Sequence, residues 1–364
     1  MKVWWITLAS TYFLCLIAGM NAKTTYIKGY YVKKYNKFFS FLALVILVLV
    51  AGLRNGIGDT PVYMGGFKSD APSTIAGSIK LLFSGKKDVG FYFYEGILKT
   101  IKNDPNVFIF VTSLITISLI FITYYKYSQV LELSIFLFIT TGCYLVSMNG
   151  IRQYLASAIL FFCFPLIHER KWQIYIPVVL ICSTIHKSAL LFLVLYFIVD
   201  QPAWGNTTKW ILFTGIALFV TYPISGPVIA DLLGETQYGE YKNALVSTGQ
   251  GANMIRVLVM AVPVVLSYMG RSFLKGKERY YNIIVNFSVI NLIFILLATK
   301  FWIYARFNMY FSVYMIILIT WCVKYMFDER NTKIIYLSCI GLYFVYYWYE
   351  MVISLNQTYI GLYF

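Results

Sequence analysis

The feature that most restricts this chain of 364 residues is its division into long apolar runs carrying almost no charge. They lie near 3–20, 38–53, 106–125, 130–148, 151–167, 172–199, 209–227, 254–270, 282–299, 307–323 and 334–349. Most have about the 17–25 residues that carry a helix across a hydrocarbon core roughly 30 Å thick. In lipid every backbone polar group must be paired within the segment, so such runs are read as helices. Charged residues make up 12% of the chain, against roughly 25% in a soluble domain. A water-soluble globular enzyme is therefore excluded. The expected fold is an all-α polytopic membrane protein, one transmembrane domain over 1–364 with about 11–12 transmembrane helices. The six cysteines all fall in apolar runs without CxxC spacing and read as small buried hydrophobes. The first run lacks a small-residue cleavage site and reads as a span.

Lys and Arg number 30 against 15 Asp and Glu, but they are spread over many short connections. A nucleic-acid partner, which would need one basic face, is not expected. Charge in short loops sets orientation, because those rich in Lys and Arg stay in the cytoplasm. Segment 21–37 carries Lys23, Lys28, Lys33, Lys34 and Lys37 with no acid, and 271–279 carries four basic residues against Glu278. Both are expected inside. They agree only if 172–199 does not cross once; as a single helix its 28 residues would also reach about 42 Å. We read it as a broken or re-entrant helical pair interrupted near His186-Lys187-Ser188. Both termini then lie outside. The stretch 54–105 becomes an extracytoplasmic loop in which 73–83 and 91–101 have the alternation of short amphipathic surface helices. At its tip Lys86 and Lys87 either meet acidic sugars or lipid headgroups or are solvated, and the solvated reading is preferred.

On this assignment Arg54, Asp59, Arg152, His186 and Arg306 all sit at outer span ends. Charge near membrane depth is costly, so it tends to face a cavity and mark a substrate path. Arg54 in Gly52-Leu53-Arg54-Asn55-Gly56-Ile57-Gly58-Asp59 either snorkels to water or faces a ligand that the glycines let approach. Asp59 either pairs with Arg54 and caps a turn or takes part in chemistry. Asn149 and Gln153 add hydrogen-bonding groups beside Arg152. His186 is either a satisfied structural histidine or a proton acceptor, whereas His168 reads as a solvated loop residue. Tyr310 follows Arg306 by about one turn, so both are expected to point the same way. Three guanidinium groups suit a pyrophosphate, which they grip in two-point fashion. No Asp-x-Asp, carboxylate pair or His/Cys cluster offers a divalent metal a cage, so no metal or cofactor is expected. Arginine would then carry the charge that develops on phosphate.

At these residues the sequence resembles the EpsG family, Wzy-like polymerases of bacterial exopolysaccharide and capsule. The matching pieces are Gly52-Leu53-Arg54 through Asp59 with Tyr63, Gly150-Ile151-Arg152-Gln153-Tyr154-Leu155-Ala156, Ile185-His186-Lys187-Ser188-Ala189-Leu190 and Arg306-Phe307-Asn308-Met309-Tyr310-Phe311. Asp88-Val89-Gly90-Phe91 looks like a drifted acidic-Pro-Gly-Phe element of the family, a departure that leaves the role of Asp88 open. The resemblance implies a GT-C-like, inverting, metal-independent polysaccharide polymerase, related to O-antigen polymerases and ligases. It would act on undecaprenyl-pyrophosphate-linked oligosaccharide at the outer face of the bacterial cytoplasmic membrane. Arg54, Arg152 and Arg306 would hold the donor pyrophosphate, with Asn149, Gln153, Tyr63 and Tyr310 as further substrate contacts. His186 is the first choice of base for the acceptor hydroxyl and Asp59 the second. Membrane lipids are expected partners, and a chain-length regulator is a further partner class that the residues leave open.

Two other function classes compete. A flippase or transporter of lipid-linked sugars would also want arginines in a cavity, but near the midplane and with broken helices in corresponding halves; no such internal symmetry is visible. A membrane acyltransferase accounts for a histidine in a span but leaves the outward arginines without a task. A glycan ligase shares the polymerase's residues.

Overall fold

The computed structural model describes residues 1–364 apart from 21, 28, 86, 227, 229–250 and 362–364. Lys28 and Lys86 thus lie outside the described residues, as does the end of the run 209–227. The chain is mostly helical, at 77%. Helix α1 (Lys2–Met20) and helix α2 (Lys37–Gly52) are joined by an antiparallel hairpin of β1 (Lys23–Ile27) and β2 (Tyr30–Lys34). This hairpin corrects the all-helical expectation for the basic connection. Gly29, at φ +87°, permits the reversal, and Lys33 Nζ anchors the hairpin by donating to the Gln129 carbonyl at 3.1 Å.

Three short helices follow in the loop: α3 (Thr60–Ser69), α4 (Ile75–Leu82) and α5 (Val89–Ile101). They are docked on the bundle. Phe67 stacks on Phe108 at 5.0 Å and Phe91 meets its edge at 5.9 Å. The Lys99 ammonium donates to the carbonyls of Lys68 at 2.8 Å and Ala71 at 2.9 Å, tying α5 to the end of α3. Tyr94 and Thr112 hydroxyls share a 2.9 Å bond, tying α5 to the next helix.

The rest of the bundle comprises α6 (Pro105–Tyr127), α7 (Leu131–Thr140), α8 (Cys143–Asn149), α9 (Ile151–Cys163), α10 (Pro165–His168), α11 (Trp172–Ile185), α12 (Leu191–Ile198), α13 (Asn206–Val220), α14 (Met254–Met269), α15 (Arg271–Leu274), α16 (Tyr281–Ala298), α17 (Tyr304–Tyr325) and α18 (Glu329–Trp348). Helices α16 and α17 form the centre: 72% and 78% of their apolar windows are buried, against 33% for the peripheral α1. Phe287 and Phe161 clasp Tyr314 at 4.2 and 4.8 Å. Buried asparagines cross-link the helices, as polar residues do in membrane bundles. Asn286 donates to the Val199 and Gln201 carbonyls and accepts from Thr208, and Asn308 donates to Asn291 at 2.6 Å. Exposed Phe13, Phe41, Phe213, Leu258 and Leu342 spread an apolar exterior over the peripheral helices, as contact with lipid requires.

Among the described residues four helices (α1, α6, α16 and α17) are long and apolar enough to cross a membrane, and a fifth if the α7–α8 pair, bent by 54°, counts as one span. The chain is a multi-pass membrane protein. Five other apolar helices have 10–17 residues, so the expectation of 11–12 full spans is not met. The physical reason is that an apolar run records residues, not the breaks within it. Gly142 at φ +83° ends α7, and Gly150 separates α8 from α9. His186 has extended backbone (φ −151°, ψ 113°) between α11 and a 3-10 turn, Lys187–Leu190.

Candidate active site

Two of these breaks, at Gly150 and His186, meet where the α3–α5 loop packs on the bundle, and there the polar side chains collect. Gly58, at φ +52°, turns the chain into α3. A Cβ there would stand 2.7 Å from Asn149 Cγ, so only glycine permits the contact. Asn149 Oδ1 in turn accepts the Asp59 backbone N–H at 2.8 Å. The Asp59 carboxylate makes no cap bond to α3 and stays exposed.

Two adjoining cavities open here, of about 450 and 270 Å³. Asp59, Tyr63, Arg152 and Arg306 line both. The smaller is completed by Asn149, Gly150, Gln153, His186, Trp302, Ala305 and Met309. The larger runs under α3 and α5, past Asp70, Phe91, Tyr92 and Glu95.

Arg152 opens α9. Its guanidinium lies 5.6 Å from the Tyr63 ring centre and 5.7 Å from that of Phe91, a packing that fixes the plane of the fork. Its Nη1 donates to Asp88 Oδ2 at 3.0 Å. Asp88 precedes α5 with φ +53°, a left-handed conformation that aspartate tolerates better than most residues. The same Oδ2 lies 3.9 Å from His186 Nδ1, too far for a hydrogen bond. What brings them close is Gly90. A Cβ at this position would stand 2.8 Å from the Thr184 Cβ and 3.0 Å from its carbonyl carbon, so α5 could not touch the end of α11. Asp88 Oδ1 and both ring nitrogens of His186 are buried without a hydrogen-bond partner. Orphans of this kind are rare because each forfeits roughly 1–3 kcal/mol. Three of them fall within this one cluster.

Arg306 stands in the first turn of α17 with its guanidinium 5.2 Å from the Trp302 ring centre. Gln153 Nε2 donates to the Arg306 carbonyl at 2.5 Å, locking α9 to α17 so that both arginines reach the shared wall.

Two expected members lie elsewhere. Arg54 is 2% exposed. It donates from Nε to Thr60 Oγ1 at 3.0 Å and from Nη1 to Ser113 Oγ at 2.7 Å and to the Ala51 carbonyl. It faces a separate small cleft between α2, α6 and α8. Two arginines therefore converge on the cavities, not three; the third clips α2, α3 and α6 together. Tyr310 is fully buried against Phe192 and lines neither cavity. Its hydroxyl bonds Ser188 at 3.0 Å, which steadies the turn after His186.

Sequence reasoning left Asp88 open and missed Glu95. The signal was available: Asp88, Phe91 or Tyr92, and Glu95 follow the i, i+3/i+4, i+7 spacing that places residues on one face of α5. Burial pushes the Glu95 carboxyl up to about 8; Asp70 adds to the rise, while Arg152 and Lys99 oppose it. Among the described residues no group of three or more His, Cys, Asp or Glu side chains is placed to hold a metal ion.

A family model described as the EpsG family matches residues 37–363, nearly the whole chain. No curated protein and no solved structure matches it.

Proposed function

From a chain that belongs to the EpsG family, we propose a polysaccharide polymerase acting at the outer face of the bacterial cytoplasmic membrane. Its donor is a glycan on undecaprenyl pyrophosphate, and its acceptor is the non-reducing-end hydroxyl of a second lipid-linked unit. The observation that carries the reading is the shared wall: Arg152 and Arg306 border the same cavity as His186, whose two ring nitrogens are buried and unpartnered.

The chemistry follows from that placement. The acceptor oxygen attacks the donor's anomeric carbon from the face opposite the pyrophosphate, inverting it. The bond from that carbon to the phosphate oxygen breaks, and the electron pair leaves with the lipid pyrophosphate. Arg152 and Arg306 stabilise the charge gathering on the leaving group, a role that requires fixed donors and no metal. The hydroxyl proton passes to His186. Asp88, 3.9 Å from Nδ1, stabilises the imidazolium as it forms, in the manner of the carboxylate of a catalytic triad. When phosphate engages Arg152 it competes with Asp88 for the guanidinium, and Asp88 is released toward the histidine. Asp59, exposed on both cavities, is the second candidate base, but it leaves the orphaned imidazole without a task.

The test is incubation of the purified chain in lipid nanodiscs with a synthetic lipid-pyrophosphate oligosaccharide, with and without chelator. Laddered glycan with released lipid pyrophosphate, undiminished by chelator, is expected. His186→Ala should slow it about 10²–10⁴-fold, the usual worth of a general base. Transport of intact substrate without ladders would contradict the polymerase. An absolute need for added divalent cation would contradict the arginine mechanism, and an unimpaired H186A protein would remove His186 as base.

A further inference from the structure

We propose that the larger cavity, between α3 and α5, is the subsite for the acceptor's terminal sugar, and that it selects a sugar bearing no carboxylate. This rests on the polymerase reading and specifies the substrate of that same site. The two cavities divide by chemistry. Arg152 and Arg306 border both, and the smaller adds His186, Asn149 and Gln153, suited to phosphate and its neighbours. The larger adds two further carboxyl groups, Asp70 and Glu95, to the shared Asp59, and the ring of Tyr92 to the shared ring of Tyr63. Its volume, about 450 Å³, lies within the range of small-ligand pockets, roughly 300–1,000 Å³. Sugar hydroxyls donate well to carboxylates, and the C–H face of a sugar ring packs on an aromatic ring.

A cluster of acids alone would not define a site, but Glu95 supplies an independent sign. It is 2% exposed and lines the cavity, and the side-chain bonds that tie α5 to its neighbours are made by Tyr94 and Lys99 on either side of it. Burial of such a group is unfavourable unless something hydrogen-bonds to it. A hydroxyl seated between α3 and α5 would meet that need, and it would stand beside Arg152 and Arg306, where the donor's reacting carbon must lie. With Arg152 and Arg306 engaged by the donor's diphosphate, a uronic acid in the same seat would bring its carboxylate against Asp59 and Asp70, a like-charge contact that specific sites use to reject ligands.

The probes are matched pairs that differ only by oxidation at C6: methyl β-glucoside with methyl β-glucuronide, and the galacto pair. Binding to the full chain in nanodiscs, with undecaprenyl pyrophosphate present to occupy Arg152 and Arg306, is read by saturation-transfer NMR. At least one neutral member should bind the native chain, with its uronate about tenfold weaker or worse. In the Asp70→Asn/Glu95→Gln double variant the ratio should fall to about threefold or less. Because that variant removes a buried group, D70N alone, at an exposed position, provides a second readout and should at least halve the ratio. Equal or tighter uronate binding by the native chain, a ratio unmoved by either variant, or binding of neither sugar would overturn the subsite. Lipid pyrophosphate release is read separately. Its loss with sugar selectivity intact would refute the polymerase reading, and its persistence without sugar binding would refute only the subsite.

Discussion

Gly90→Ala should disable the site while leaving the fold in place. A methyl group at this position would stand 2.8 Å from the Thr184 Cβ, against roughly 3.5 Å for carbon atoms at rest. The start of α5 and the end of α11 must therefore separate by about 0.7 Å. Such overpacking costs roughly 1–3 kcal/mol, which a bundle with this much buried surface tolerates. The catalytic cost is larger, because the displacement falls on Asp88, two residues before Gly90, and on His186, two residues after Thr184. Misplacement on the order of 1 Å can cost about 10²-fold in rate, so transfer should fall about 10- to 100-fold. Gly341→Ala is the control, since nothing lies within 4 Å of a Cβ there. It should leave rate and melting temperature near native. Adding Thr184→Gly to G90A removes the Cβ and hydroxyl of the opposing residue and should restore part of the rate. The assay is lipid pyrophosphate release in nanodiscs alongside a thermal melt. Native turnover by G90A, or a loss that T184G does not relieve, would refute the claim that this close approach sets the Asp88–His186 geometry.

Arg54→Ala should act on stability instead. It removes the donor that Ser113, Thr60 and the Ala51 carbonyl share, and a loss of roughly 1.5–3 kcal/mol is expected, the worth of a hydrogen bond from a charged group. A thermal melt checks it; a native melting temperature would show that Arg54 is not the clip described. Glu95 predicts a pH dependence. Its carboxyl, raised to about 8 by burial, is protonated in the fold at pH values where the unfolded chain has already released the proton. Its contribution to stability is thus fully present below the ordinary carboxylate range, declines as pH rises toward about 8, and is flat above. Glu95→Gln should abolish that decline, so the native protein should lose ground to E95Q between pH 5 and 8 in melts; parallel profiles would contradict it.

The sequence made the membrane architecture legible because hydropathy is a sum over neighbours, and Val, Ile, Leu and Phe declare themselves without a structure. Helix ends were less legible. Gly142 breaks a helix inside the apolar run 130–148, so span counts made from runs exceed what the described helices provide. The basic hairpin Lys23–Lys34 hid for a related reason, since a short two-stranded ribbon leaves little periodicity. Arg152, His186, Arg306 and Asp59 announced themselves as charge beside apolar runs, and the structure places all four on one pair of cavities. Arg54 carried the same local signal. What separates it is its partners, Ser113 on α6 and Thr60 on α3, and contacts between distant segments are not written in either segment. Glu95 went unnoticed because a lone acid in a loop reads as solvated. Only the packing of Phe91 and Lys99 on either side shows that this face of α5 points inward.

The central claim, that two arginines grip the donor's diphosphate, is tested most directly by 31P NMR titration of undecaprenyl pyrophosphate into nanodiscs of the native chain and of Arg152→Ala/Arg306→Ala. Removing two fixed guanidinium donors should weaken binding by about 10²-fold or more, in a chain that still folds but melts lower because the buried Asp88 loses its partner. Diphosphate binding that survives the double substitution at native affinity would contradict the account.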